Sequence, residues 1–182
     1  NSAHYDAVIE ALEARGLRVI PAFASGLDSR PAVKAFFMDG DKPIVDAVVS
    51  LTGFSLVGGP AYNDTDAAQA LLESLDVPYL AVQGLEFQSL QDWQSSSMGL
   101  MPVEATMMVA IPELDGATGA MVFGGRSELS AGGKSDMQAE PERVERLADR
   151  VARLVSMRYT PITERKVAIV LFNFPPNSGA AG

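Results

Sequence analysis

Val45 to Leu51 is a nearly unbroken apolar run, and a glycine-rich stretch from Thr52 to Pro60 follows it directly. Such a run reads as a strand buried on both faces, which requires a sheet with helices on each side. The rest of the chain agrees. Arg18 to Phe23, Pro78 to Val82, Met121 to Phe123 and Lys166 to Phe172 read as further strands. Between them run helical patterns. Ala3 to Arg15 places Tyr5, Val8, Ile9 and Leu12 on one face, and Pro31 opens a helix through Phe36 and Phe37 that ends at Asp39-Gly40-Asp41. Asn63 or Asp64 caps a third helix with a stripe of Ala67, Ala68, Leu71, Leu72 and Leu75. Short pieces are expected over Ser89 to Gln94 and Pro102 to Val109, and the clearest helix over Glu142 to Arg158. Strands alternating with amphipathic helices predict an α/β fold: a three-layer, open, mostly parallel sheet of flavodoxin- or Rossmann-like type. Residues 1–182 are expected to form one α/β domain, with a flexible loop at about 127–140. Both ends read as cut from something larger.

Composition excludes several function classes. The chain has 182 residues, 47% hydrophobic and 20% charged, as a globular domain should. Its 14 Lys and Arg stand against 23 Asp and Glu, a net charge of -9 with no basic run, which argues against nucleic acid as partner. With no cysteine there is no disulfide, thiolate metal site or thiol nucleophile, and the absence fits a reducing compartment. No apolar stretch is long enough to span a bilayer.

Four motifs carry chemistry. The Gly53 to Pro60 loop follows a strand end, where open α/β sheets place ligands, and reads as either a ligand loop or a tight turn. Gly132-Gly133-Lys134-Ser135 lacks the glycine a phosphate loop needs, since position 128 is Glu. Pro112-Glu113-Leu114-Asp115-Gly116 sets two carboxylates in a proline-started turn after an apolar stretch, so Glu113 is expected partly buried with a raised pKa. His4 is the only histidine, so no two-histidine metal site exists, and it reads as a capping or packing residue. Met98, Met101, Met107 and Met108 suit either a core or an adaptable apolar surface.

The block Ala47 to Pro60 closely resembles a segment of the large, H-type component of magnesium chelatase, in the CobN/magnesium chelatase family. So do His4-Tyr5, Leu12 to Gly16, Val19-Ile20-Pro21, Gly26-Leu27-Asp28, Glu86-Phe87-Gln88, Ala110 to Gly116, Phe123 to Arg126 and Phe172 to Asn177. Val103 to Met108 is similar to the bacteriochlorophyll-making branch. That branch carries a cysteine-containing insertion near 127–137 that this sequence lacks.

The resemblance implies a fragment of the porphyrin-binding catalytic subunit, a cytoplasmic protein with at most transient membrane association. It would insert Mg²⁺, a substrate here, into protoporphyrin IX. AAA+ partner subunits would hydrolyse the ATP, which this fragment would not bind. The remainder of the large subunit is also implied as a partner. Porphyrin insertion needs an acceptor for two pyrrole protons and oxygen ligands for a hard cation. Glu113 is the first candidate for base and metal ligand, with Glu104 and His4 as further catalytic candidates and Asp115 as a second transient Mg²⁺ ligand. Gly53, Phe54, Gly58, Gly59, Met107 and Met108 are the candidate porphyrin contacts. A scaffold or partner-docking domain, a cobaltochelatase large-subunit relative and an independent flavodoxin-like module remain as alternatives.

Overall fold

The computed structural model describes residues 2–59, 61–128 and 135–170 of the chain. Helix α1, Ala3–Glu13, buries Val8, Ala11 and Leu12. Arg18 to Phe23, expected as a strand, enters no ladder, and its backbone makes no hydrogen bond among the described residues. β-Branched content supplies propensity, whereas a strand also needs an edge to pair with; here Leu17 and Val19 are half-buried through side chains alone, against the core beneath α1. Helix α2, Arg30–Phe36, carries its proline in the first turn as expected. Asp39-Gly40-Asp41 is not a helix end but the turn of a small hairpin, β1 (Met38–Asp39) with β2 (Lys42–Pro43).

Only the centre of Val45 to Leu51 is laddered, as β3 (Val48–Ser50). The glycine-rich stretch folds into a second hairpin, β4 (Gly58–Gly59) with β5 (Tyr62–Asn63). Of the two candidate caps, Asp64 closes helix α3 (Thr65–Leu75), its Oδ1 accepting the Ala67 N–H at 3.0 Å. Strand β6, Tyr79–Ser89, runs well past the expected Val82. Helix α4 covers Leu90–Ser95. Helix α5 (Pro102–Glu104) passes through a π-helical segment, Ala105–Ala110, into α6 (Ile111–Asp115). The helix therefore continues beyond Val109, where the sequence predicts its end before Pro112. The Ile111 N–H donates to Thr106 O, an i to i−5 bond, and the widened turn makes room for the proline ring.

Strand β7 is Thr118–Arg126, longer than Met121 to Phe123. Inside the expected 127–140 loop lies β8, Met137–Ala139; residues 129–134, with Gly132-Gly133-Lys134, fall outside the described part. Helix α7, Pro141–Tyr159, is the long helix expected, and a 3₁₀ turn at Ile162–Glu164 follows. Lys166 to Val170, expected as a strand of this sheet, forms none among the described residues. The Phe172 to Asn177 block lies outside the described residues, as does Pro60.

The main sheet has the order β3-β6-β7-β8, with the first three strands parallel and β8 antiparallel. Alternate residues of β6 serve opposite faces. Leu80 and Val82 join Phe123 under α1 and α7, while Tyr79 and Ala81 join Ala68, Leu71 and Leu75 under α3. The sheet is therefore mixed, with helices on both sides, as the α/β reading requires. Arg15 fastens α1 to α7 through Glu145 and Asp149, each at 2.7 Å.

Candidate functional site

The glycine-rich loop spends its backbone on the protein itself. The Leu56 N–H donates to Asp115 Oδ2 at 3.1 Å, the Val57 N–H to Ser55 Oγ at 3.2 Å, and the Gly58 N–H to Leu27 O at 2.6 Å. Leu56 and Val57 are core residues beside α3. Gly53 takes φ +69° and is buried, and a Cβ there would meet Met108 Cγ at 3.1 Å. Gly53, Gly59 and Met108 are thus closed off by packing; Phe54, Gly58 and Met107 keep partial exposure. A loop with these amides already bonded is a structural brace rather than an anion cradle.

The helix from Pro102 to Asp115 sorts the candidate carboxylates by phase. Glu104 and Asp115 lie eleven residues apart, close to three turns, so both face inward with Met108 between them. Both are buried, at 0% and 1% exposure. Glu113 falls half a turn away and is exposed, contrary to the partial burial expected of it. Its place also differs. The glycine loop leaves the carboxyl end of β3, but Glu113 stands just before the amino end of β7, so loop and carboxylate do not share a sheet edge. What joins them is Asp115, through the Leu56 amide.

Glu104 is an internal clamp. Oε2 accepts the Met101 N–H at 3.1 Å and the Gln88 side-chain amide, and Oε1 accepts the Phe87 N–H at 3.4 Å. It closes a capping box at the helix start and binds that start to the carboxyl end of β6. The clamp fixes the backbone at Phe87 and Met101, and these side chains and that of Val103 are exposed by 52%, 42% and 38%. Gln88 Nε2 also reaches Gly99 O at 3.4 Å, which draws in the loop carrying Met98. Below this rim the outward face of the helix continues with Met107, Ala110 and Leu114, the last 60% exposed, beside Glu113. Phe87, Val103 and Leu114 are not among the candidates the sequence offers.

Asp115 is held differently. Its Oδ2 receives Leu56, while Oδ1 has no partner among the described residues, nor does the buried Tyr79 hydroxyl. Burial pushes the Asp115 carboxyl above the usual carboxylate range, and burial likewise raises the Tyr79 phenol. A raised folded-state pKa means the native state holds the proton more tightly. Stability is therefore lost as pH rises from the unfolded value of 3.8 through the folded one, and the loss is constant above that. Asp115→Asn keeps an acceptor for Leu56 and removes the titration. The melting temperature of this variant should rise relative to that of the parent as pH goes from acid to neutral; a difference that does not change with pH would remove Asp115 as the cause.

His4 is buried at 4%, its ring 3.9 Å from Tyr5 and 6.1 Å from Phe123 by centroid, and burial lowers its pKa. It packs in the core under α1, remote from the Pro102–Asp115 helix on the other side of the sheet. Among the described residues no three acidic or histidine side chains converge as a metal site, and no helix is long and apolar enough to cross a membrane.

A profile of the CobN/magnesium chelatase family matches residues 1–182. The H-type magnesium-chelatase protein of Cereibacter sphaeroides is 53% identical over all of this chain, which covers 16% of that protein. The chloroplastic magnesium-chelatase protein ChlH of rice (Oryza sativa subsp. indica) is 45% identical, again over all of this chain and 13% of its own length. Among solved structures, the catalytic subunit of cobaltochelatase from Mycobacterium tuberculosis superposes with a TM-score of 0.66 at 28% identity, covering 88% of this chain and 14% of that one. The chain thus spans about a sixth or less of the relatives it matches.

Proposed function

Because the chain belongs to the CobN/magnesium chelatase family, we propose that it is an internal segment of the large subunit of a magnesium chelatase acting in chlorophyll or bacteriochlorophyll formation. The full-length subunit would bind protoporphyrin IX and receive Mg²⁺, with ATP hydrolysed by AAA+ partner subunits in the cytoplasm. The observation that carries this reading is the 53% identity to an H-type magnesium-chelatase protein across the whole chain. The 28% identity to a cobaltochelatase structure makes the cobalt enzyme the weaker alternative.

Within this segment the outward face of the Pro102–Asp115 helix is the surface proposed to meet the macrocycle. It is apolar along Val103, Met107, Ala110 and Leu114, it is reachable, and it carries Glu113 at one end. Glu113 is the proposed proton acceptor and transient Mg²⁺ ligand, since Glu104, Asp115 and His4 are buried. Metal insertion breaks two pyrrole N–H bonds as Mg²⁺ binds the four ring nitrogens; a carboxylate at the rim can take up one of the two released protons, and solvent the other. The remaining oxygen ligands that Mg²⁺ requires would come from elsewhere in the longer polypeptide.

The apolar face is tested by Leu114→Asp in the full-length subunit. Titration of a soluble porphyrin, followed by its main visible-region band, should show at least about tenfold weaker binding, equivalent to about 1.4 kcal/mol. Unchanged affinity, with the parent melting temperature, would place the macrocycle on another surface.

A further inference from the structure

Lys166-Val167-Ala168-Ile169-Val170 has the β-branched density of a strand, yet it belongs to no ladder among the described residues. Val167, Ile169 and Val170 are 80%, 80% and 92% exposed. The two long edges of the sheet differ. On one side β8 pairs with β7 and is packed by α1. On the other, β3 pairs with β6 alone among the described residues.

The point from which this stretch departs is fixed as well. At the end of α7 the Tyr159 hydroxyl donates to Asp46 Oδ1 and Arg158 Nη1 donates to Asp76 O, both at 2.7 Å. These contacts anchor the helix end beside the segments leading into β3 and β6. Pro161 and the 3₁₀ turn then redirect the chain, and Arg165 Nε closes that turn on Thr160 O at 2.9 Å. Exposed strand-forming residues outside any ladder invite association unless something covers them. The family relatives are about six times longer than this chain or more, which supplies the cover within the same polypeptide.

We propose that Lys166–Val170 is a strand of a second sheet, built with residues that follow this 182-residue segment in the full-length polypeptide. The α/β unit described above then ends at α7, and Pro161 to Arg165 is the joint between the two units. This inference is independent of the porphyrin-binding reading.

Hydrogen exchange on the full-length protein tests it. Amides of residues 166–170 should exchange at least about a hundredfold more slowly than an unstructured peptide of the same sequence, as expected of a paired strand. Unprotected exchange there would overturn the proposal. The double substitution Val167→Asp with Ile169→Asp identifies the sheet involved. Exchange should rise at 166–170 and in the chain that follows, while β3, β6, β7 and β8 keep their protection. A rise in β3 or β8 would assign the strand to the first sheet and overturn the proposal. If the double variant does not fold, the milder pair Val167→Thr with Ile169→Thr takes its place and is read in the same way.

Discussion

Glu113→Gln in the full-length subunit is expected to slow Mg²⁺ insertion about 10²–10⁴-fold, the usual loss when a general base is removed. Porphyrin affinity and melting temperature should stay close to those of the parent. Glu113 is exposed, so Gln can occupy its place without a cavity or a buried unpaired group. What is lost is the negative charge proposed to accept a proton and attract a hard cation. The readouts separate the roles. A fall in insertion rate alone supports the base, whereas a joint fall in stability and porphyrin binding would make Glu113 a structural residue. Near-parent insertion would exclude it from the chemistry.

Glu104→Ala is expected to damage the same surface by a different route. Truncation leaves the Met101 and Phe87 amides and the Gln88 side-chain amide without their shared acceptor, in part-buried surroundings. A donor left unsatisfied costs about 1–3 kcal/mol when fully buried and less when part-buried, so a melting temperature lowered by a few degrees is the expected outcome. Phe87, Met101 and Val103 would also lose their common anchor, and porphyrin affinity should fall with stability. Glu104→Gln should lie between the two, because its amide turns one acceptor into a donor facing other donors. A Glu104→Ala protein that melts like the parent would show that the clamp does not hold this rim.

The contrast between the two glutamates shows how far sequence reading reaches. Both stand in the same apolar stretch, and residue type alone ranks Glu113, Glu104 and Asp115 by position in a motif. Helical phase separates them: counting turns from Pro102 puts Glu104, Met108 and Asp115 inward and Glu113 outward. That signal is present but hidden, since Pro112 reads as the end of the helix while the π turn carries the helix through it. The strands divide in the same way. β6 is evident from its apolar run because it is central and buried on both faces. β8, Met-Gln-Ala, has no strand pattern and exists through its pairing with Gly124 to Arg126. Arg18–Phe23 has the pattern and no ladder. Pairing is a non-local property, and a single segment does not encode it. The glycine loop does follow β3, but whether its amides face a ligand or its own protein depends on Leu27, Ser55 and Asp115, two of them distant in sequence.

If this segment belongs to a subunit that puts Mg²⁺ into a porphyrin, with its Pro102–Asp115 helix against the macrocycle, one assay bears on both halves of that reading. It is metal insertion by the full-length subunit with its ATP-hydrolysing partners, followed by the visible absorption bands of the metalloporphyrin. Mg²⁺ and Co²⁺ would be supplied in parallel, with the parent and Glu113→Gln proteins. The expected result is ATP-dependent formation of magnesium protoporphyrin by the parent and its near loss in the variant. Cobalt insertion without magnesium insertion, or equal magnesium insertion by both proteins, would contradict it.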